Sequence, residues 1–280
     1  TLINNWMNNG ISPSSIQKYC HCPLDFYFNY ILKIKEKKKI NQYLEPSEWG
    51  IAIHKTLERL FYKGRKIDVK ELLKIKNDFS ALMLQTFRDI FSDKRFINGK
   101  NALVYHHYKK CLESLIEKEI LDVKEFGTYK ILETEKELNF ETTIKNNELI
   151  KNIKLLGHID RVDLTDQGIR LIDYKTGMVQ QNELNIYNFD KLSKKQKSLQ
   201  LLFYALLWKK NYNSNEHLQC QIISLKNTFQ PKLNLTYKKK TFIENDVINN
   251  FQIWLDEFLT EINNTEIFKH DLNSKYCEIC

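Results

Sequence analysis

The stretch Gly157–Leu164, the polar break Thr165-Asp166-Gln167-Gly168 and the run Ile169–Lys175 constrain the fold more than any other part of the chain. Apolar and polar residues alternate on both sides of a break rich in turn-forming types, which predicts an antiparallel pair of strands. With Leu164 set against Ile169, counting outward places Asp160 opposite Asp173 and His158 opposite Lys175. Alternation puts Asp160, Val162 and Leu164 on one face with Ile169, Leu171, Asp173 and Lys175. That face is otherwise apolar. Two carboxylates ~5 Å apart across a ladder repel by roughly 3 kcal/mol at an effective dielectric near 20, and partial burial adds a desolvation penalty. A divalent cation between them turns repulsion into coordination, and hard oxygen ligands point to Mg²⁺ or Mn²⁺. Lys175, on the same face, can reach a water on that ion and stabilise charge developing on a phosphate. A lone Asp-x-Lys reads more readily as a salt bridge near a sheet edge, with Asp160 turned to solvent, and the opposed Asp160 and preceding Gly157 bring the two readings level.

The rest of the chain frames this hairpin. Only 8 Gly and 4 Pro occur in 280 residues, which disfavours a turn-rich all-β sandwich and favours long helices. Helices are predicted from Ser12 onward, with Pro13 in the first turn and Ser14 and Gln17 forming a capping box, then over 48–63, 68–92 and 101–126. After Gly127 the period changes to strands at 129–140, 149–164 and 169–174. A helix follows at 193–210, strands at 218–225 and 232–238, and a last helix at 244–263. Strands enclosed by helices in this order predict an α/β fold, a central mixed β-sheet flanked by helices with a helical N-terminal part. We expect one domain over 1–280: mainly helical at 1–127, sheet core at 128–240, and a C-terminal helix and tail at 241–280. The first residue is Thr1, and the chain is expected to be a piece of a larger protein. No apolar run approaches the ~20 residues that span a bilayer, so no membrane association is expected. Lys and Arg outnumber Asp and Glu by 43 to 35, a net charge of +8, which weakly favours a polyanionic partner.

Several motifs in fixed order resemble the RecB/AddB-type branch of the PD-(D/E)XK nucleases. They are Ser12-Pro13-Ser14-Ser15 leading to Cys22-Pro23-Leu24-Asp25-Phe26-Tyr27, then Trp49-Gly50-x-x-x-His54-x-x-Leu57-Glu58. Next come Gly157-x-x-Asp160-Arg161-x-Asp163, Asp173-Tyr174-Lys175-Thr176-Gly177 and Gln200-x-x-x-Tyr204-Ala205. The resemblance implies a restriction-endonuclease-like core and metal-dependent hydrolysis of DNA phosphodiesters. It implies His54, Asp160 and Asp173 as metal ligands, with the Tyr174 carbonyl contributing, and Lys175 positioning the nucleophilic water. It also implies that the helix bearing Gln200 and Tyr204 supports the site and approaches the DNA backbone. Taken alone, His54 reads as a packed or surface histidine, and Tyr204, among Leu202, Phe203 and Leu206, fits core packing equally well. The family carries an acid in the region of Glu133 and Glu135, so Glu135 is a marginal candidate. Two departures from the family pattern, no Pro before Asp160 and Asp rather than Glu at 173, leave the carboxylates in place.

Relatives of this branch with an iron–sulfur cluster place one Cys before the entry-helix Pro and three near the C-terminus. Here Cys22 and Cys277-Glu278-Ile279-Cys280 match three of the four positions. A [4Fe-4S] cluster is expected only if the C-terminus is complete. Truncation is the favoured explanation of the missing ligand, with Cys20 as a substitute, a Zn²⁺ site or an empty site as alternatives. Cys111 and Cys220 read as small buried hydrophobes. Lys33–Lys39, Lys194-Lys195-x-Lys197 and Lys238–Lys240 are basic runs, and Lys194, Lys195 and Lys197 are best placed to meet DNA phosphates.

The expected function is a Mg²⁺-dependent DNA nuclease, exonucleolytic rather than endonucleolytic. It would be the cytoplasmic nuclease domain of a helicase–nuclease in DNA end processing and recombinational repair. The expected partners are DNA and a helicase subunit or helicase domain of the same chain. The alternative is a noncatalytic DNA-binding or iron–sulfur scaffold module of such a complex.

Overall fold

The computed structural model describes residues 2–34, 43–91, 95–146, 149–212 and 216–271. The N-terminal part is helical: α1 (Leu2–Asn9), α2 (Pro13–His21), a short α3 (Pro23–Phe26), α4 (Pro46–Leu60), α5 (Val69–Ile90) and α6 (Gly99–Phe126), with a two-residue strand β1 (Lys66–Ile67) between α4 and α5. Strands β2 (Tyr129–Asn146), β3 (Leu149–Thr165) and β4 (Gly168–Lys175) follow. After them come β5 (Asn185–Ile186), α7 (Gln196–Tyr212), β6 (Leu218–Ser224), β7 (Lys232–Asn234), β8 (Thr236–Tyr237) and α8 (Asn245–Asn264). No helix among the described residues is long and apolar enough to cross a membrane.

The main sheet runs β1-β2-β3-β4-β6-β7. Among the described residues of this sheet only β4 and β6 pair in parallel, with α7 as the crossover between them; β5 and β8 form a separate two-stranded parallel ribbon. The α/β architecture with a mixed sheet and helical N-terminal part is the one expected from the order of periods. Two differences are local. The capping box of α2 joins Ser12 and Ser15, because Ser12 is the residue with extended backbone just before the helical Pro13; Gln17 instead donates to the carbonyl of Gln196 on α7 (2.9 Å). The stretch expected as one strand at 232–238 divides into β7 and β8, which belong to different sheets.

The sheet separates two apolar cores. One lies between the sheet, α7, α8 and the N-terminal α1–α3, and is built from residues such as Phe203, Leu207, Phe251 and Phe26. The other lies under α4, α5 and α6, around Phe61, Phe87, Leu112 and Tyr174. Alternation along β3 and β4 serves both: Val162 and Leu171 join the first core, Ile172 and Tyr174 the second. Gly157 lets α7 lie close on β3, since a Cβ there would fall 2.4 Å from Leu207 Cδ1. Gly168 closes the hairpin at φ +124°, against the carbonyl of His217.

Candidate active site

The hairpin register is the expected one where it exists. Thr165 pairs with Gly168, Leu164 with Ile169, and Arg161 with Ile172. It then stops, one pair short of Asp160 and Asp173. Beyond Ile172, β4 continues against β6, with Asp173 beside Ile222 and Lys175 beside Ser224. The Tyr174 main-chain N–H donates to Asp160 Oδ2 (2.6 Å). A side-chain carboxylate thus takes the place of the next ladder bond. The expected pairing of His158 with Lys175 is likewise absent: His158 lies opposite Glu137 on β2, and its Nε2 is 3.2 Å from Glu135 Oε2.

Around Asp160 of β3, four further elements deliver the site. From α4, His54 presents Nδ1 at 3.5 Å from Asp160 Oδ2, with its ring edge-on to Tyr174. From β4, Asp173 and Lys175 lie two residues apart, with Lys175 Nζ 2.8 Å from Asp173 Oδ2. From α7, Gln200 Nε2 donates to Asp173 Oδ1 (2.9 Å) and to the Tyr204 hydroxyl (2.7 Å), while its Oε1 accepts from Lys175 Nζ (3.1 Å). Gln200 and Tyr204 are one helical turn apart, so one face of α7 supplies both. Tyr204 is accordingly both packed and polar, buried to 5 % exposure with its hydroxyl engaged.

The fourth element, β2, brings Glu135. Its neighbours pair with β3 on either side of Asp160, Thr134 with Arg161 and Lys136 with Ile159. Glu135 itself adopts φ +47°, a conformation that costs a non-glycine residue about 1–3 kcal/mol. One ligand atom each of His54, Glu135 and Asp160 lies within 4.8 Å of the others. Glu133, by contrast, pairs with Lys63 at 2.9 Å. The available signal for Glu135 was two acids at even spacing in a strand that must flank Asp160. An acid at that spacing is ordinarily exposed, so spacing alone does not single Glu135 out.

The electrostatics are those of a site short of positive charge. Burial raises the Asp173 carboxyl above its usual range and Asp160 pushes the same way, while Lys175 opposes them. Burial and Asp160 also raise Glu135. Burial lowers the His54 imidazole, but its hydrogen bond to Asp160 and the charges of Asp160, Asp173 and Glu135 outweigh that and raise it. Burial likewise lowers Lys175, and Asp173 more than reverses it, so Lys175 is an ammonium at neutral pH. Asp173 Oδ2 is buried, with the Lys175 ammonium 2.8 Å away. A buried carboxylate beside a His–Glu–Asp cluster is a donor set that suits a small hard divalent cation.

The model of the PD-(D/E)XK nuclease superfamily matches residues 10–280. The chain belongs to that superfamily. It is also similar to an ATP-dependent helicase/deoxyribonuclease subunit of Clostridium perfringens (strain 13 / Type A), 25 % identical over 197 residues, which cover 64 % of this chain and 16 % of that protein. The Clostridioides difficile (strain 630) protein of the same name is 27 % identical over 193 residues, 61 % of this chain and 16 % of the relative. That of Caldanaerobacter subterraneus subsp. tengcongensis is 27 % identical over 190 residues, 59 % and 15 %. The chain therefore matches about one sixth of the length of these relatives.

The remaining candidate positions of this superfamily member lie as follows. Lys195 Nζ donates to the carbonyls of Asn182 (2.9 Å) and Asn185, and Lys197 Nζ to both Glu183 oxygens (2.8 Å). These two lysines tie the loop before α7 to its own fold, whereas Lys194 is exposed. Tyr174 touches the site through its amide N–H. Cys22 is buried with Sγ 3.4 Å from His270 Nδ1. Burial and then Glu261 push the Cys20 thiol up to about 12. Cys111 and Cys220 are buried. Cys277 and Cys280 lie outside the described residues, as does most of the run Lys33–Lys39.

Proposed function

We propose that this chain is a single nuclease domain that hydrolyses DNA phosphodiesters with Mg²⁺ or Mn²⁺. It would act in the cytoplasm as the exonuclease part of a helicase–nuclease that processes DNA ends for recombinational repair. The observation that carries the reading is the convergence of His54, Glu135, Asp160 and Asp173 with Lys175 in a half-buried corner, in a chain of a superfamily whose nucleases use divalent metals. The names of the relatives support DNA as substrate and a helicase as partner.

His54, Glu135, Asp160 and Asp173 would hold the cation, with the Tyr174 carbonyl as a further ligand. When bound, the ion supplies a water of lowered pKa and electrostatic relief for the phosphoryl oxygens. The protein's own groups do the orienting. Lys175, kept charged by Asp173, donates to the attacking water or to a phosphate oxygen and does not accept a proton. Gln200 holds the Lys175 ammonium and the Asp173 carboxylate in fixed relation, and Tyr204 fixes Gln200 from below. Lys194, exposed at the mouth of α7, contacts the DNA backbone. Where the full C-terminus is present, a [4Fe-4S] cluster held by Cys22, Cys277 and Cys280 with a further ligand would tie the chain ends together, Cys20 being the alternative fourth ligand.

The test is cleavage of linear and covalently closed circular DNA with Mg²⁺, with Mn²⁺ and with EDTA, for wild type, Lys175→Ala and Asp173→Ala. Linear DNA is expected to be degraded only with a divalent ion, and each substitution to slow it by about 10²–10³-fold or more. Metal-dependent cleavage surviving both substitutions would overturn the assignment. Cleavage of closed circles would replace exonuclease by endonuclease action, and DNA binding without cleavage by any form would favour the noncatalytic scaffold.

A further inference from the structure

The face of β3 and β4 turned away from Gln200 carries a second polar constellation. Arg161 is 1 % exposed and sits under α6. Its Nη1 donates to the Tyr174 hydroxyl (2.9 Å) and its Nη2 to Asp163 Oδ2 (2.9 Å), with Glu119 3.5 Å from Nη2. The guanidinium lies over the rings of Phe61 (4.8 Å) and Tyr129 (5.5 Å). Stability is a weak reason for such a cluster, because buried ion pairs are commonly replaceable by well-packed apolar side chains without loss. Its place on the strands suggests another reason.

Asp160 and Arg161 are consecutive on β3, so their side chains leave opposite faces of the sheet. Both reach the same residue of β4: Asp160 takes the Tyr174 amide N–H and Arg161 takes the Tyr174 hydroxyl. This happens at the point where the β3–β4 ladder has ended at Arg161 and Ile172. Side chains therefore do there what main-chain bonds do elsewhere. Tyr174 lies between Asp173 and Lys175, so its orientation also sets theirs, and its ring abuts His54.

We propose that Arg161 and the Tyr174 hydroxyl form a positioning clamp. By gripping the Tyr174 phenol from behind the sheet, Arg161 presents the Tyr174 amide to Asp160 and so orients the Asp160 carboxylate toward His54 for cation binding. Arg161 touches no substrate and acts only through Tyr174. The cation part of this inference rests on the function proposed above; the clamp itself does not.

Tyr174→Phe in the full 280-residue chain is the decisive variant, since it keeps the ring, the amide and the carbonyl and removes only the grip. Arg161→Met is its partner, and Tyr174→Phe answers alone should Arg161→Met fail to fold. Two quantities are measured: hydrogen exchange of the residue-174 amide by NMR in the metal-free chain, and Mn²⁺ affinity by titration calorimetry. Exchange at residue 174 is expected to quicken at least tenfold while Leu171 stays protected, and Mn²⁺ affinity to fall about tenfold, at the lower end of losses on removing outer-shell support. In cleavage assays kcat is expected to drop with KM for DNA unchanged. Wild-type exchange at residue 174 in a folded Tyr174→Phe would overturn the clamp. Faster exchange with unaltered Mn²⁺ affinity would overturn its positioning role. A wild-type chain that binds no Mn²⁺ and cuts no DNA would instead overturn the proposed function, with the exchange rates still deciding whether Arg161 grips Tyr174.

Discussion

Asp160 and Asp163 lie three residues apart on β3, both buried, in opposite electrostatic surroundings. Asp160 shares its corner with Asp173 and Glu135, and the basic groups there are Lys175, His54 and, against Glu135, His158. Asp163 shares its side of the sheet with Glu119 and with three cations, Arg161, Arg170 and Lys232. The consequences have opposite sign. In the first cluster burial wins, and the Asp173 and Glu135 carboxyls rise. In the second, burial again pushes Glu119 up, but Lys232, Arg161 and Arg170 overwhelm it and hold that carboxyl at about 2. A cluster whose charges are balanced from within needs no further ion. A buried cluster left with surplus negative charge is built for one that arrives from outside.

The largest effect that separates the two lies at Asp163. Its Oδ2 accepts from Arg161 and twice from Arg170. Asp163→Asn takes from Arg161 and Arg170 the carboxylate they share and leaves Arg161 the more distant Glu119 at 3.5 Å, and breaking a buried pair from one side costs about 3–5 kcal/mol. Urea unfolding of the metal-free chain at neutral pH should show that loss. A loss under about 1 kcal/mol, the worth of a surface pair, would mean that the second cluster is not held together by charge, and the contrast would collapse.

A smaller effect is carried by pH. Glu119 has a folded-state pKa of about 2 against an ordinary 4.5. A depressed carboxyl contributes stability that is present above the unfolded value and lost as pH falls through the folded one. The difference corresponds to about 3 kcal/mol. Wild type should therefore lose stability between about pH 4.5 and 2, and Glu119→Gln should lose correspondingly less over that interval while starting lower at pH 7. Parallel acid limbs for the two proteins would show that Glu119 is not the compensated anion the geometry makes it.

The two clusters were unequally legible in the amino-acid sequence. Asp160, Asp173 and Lys175 could be read because turn chemistry at Thr165–Gly168 sets the register, and period-two alternation then assigns faces. What that arithmetic could not foresee is that the ladder ends at Arg161, because Asp160 captures the Tyr174 amide itself. Counting assumes that every pair forms. Glu135 was marginal for a related reason: its approach to Asp160 depends on a positive φ within a strand and on a bulge between Ile131 and Glu133, neither of which leaves a residue-type signature in Glu or Leu. The Glu119–Asp163 cluster went unread because its members come from α6, β3, β4 and β7, and nothing local distinguishes a buried Arg161 from an exposed one. His54 and Gln200 became candidates only through the family motif, since a single His on a helix has no spacing to argue from. Lys195 and Lys197 look on paper like phosphate ligands, but the carbonyls and carboxylate of the loop before α7 engage them.

The smallest effect is the sharpest in sign. Asp173→Asn removes a charge whose raised pKa means its surroundings disfavour it on balance, Lys175 notwithstanding. In EDTA at neutral pH the variant is expected to be as stable as wild type or more so, although it loses an ion pair at 2.8 Å. Removing a charge from a structural pair does the reverse. Millimolar Mn²⁺ should then invert the order: wild type gains RT ln(1 + [L]/Kd) from the bound ion, and Asp173→Asn gains little because a neutral amide is a poor ligand for a hard cation. Thermal melts of both proteins in EDTA and in Mn²⁺ give all four values. If Asp173→Asn melts clearly below wild type in EDTA, then Lys175 already balances Asp173 as Arg161 and Arg170 balance Asp163, and the acidic corner has no surplus charge for an ion to answer.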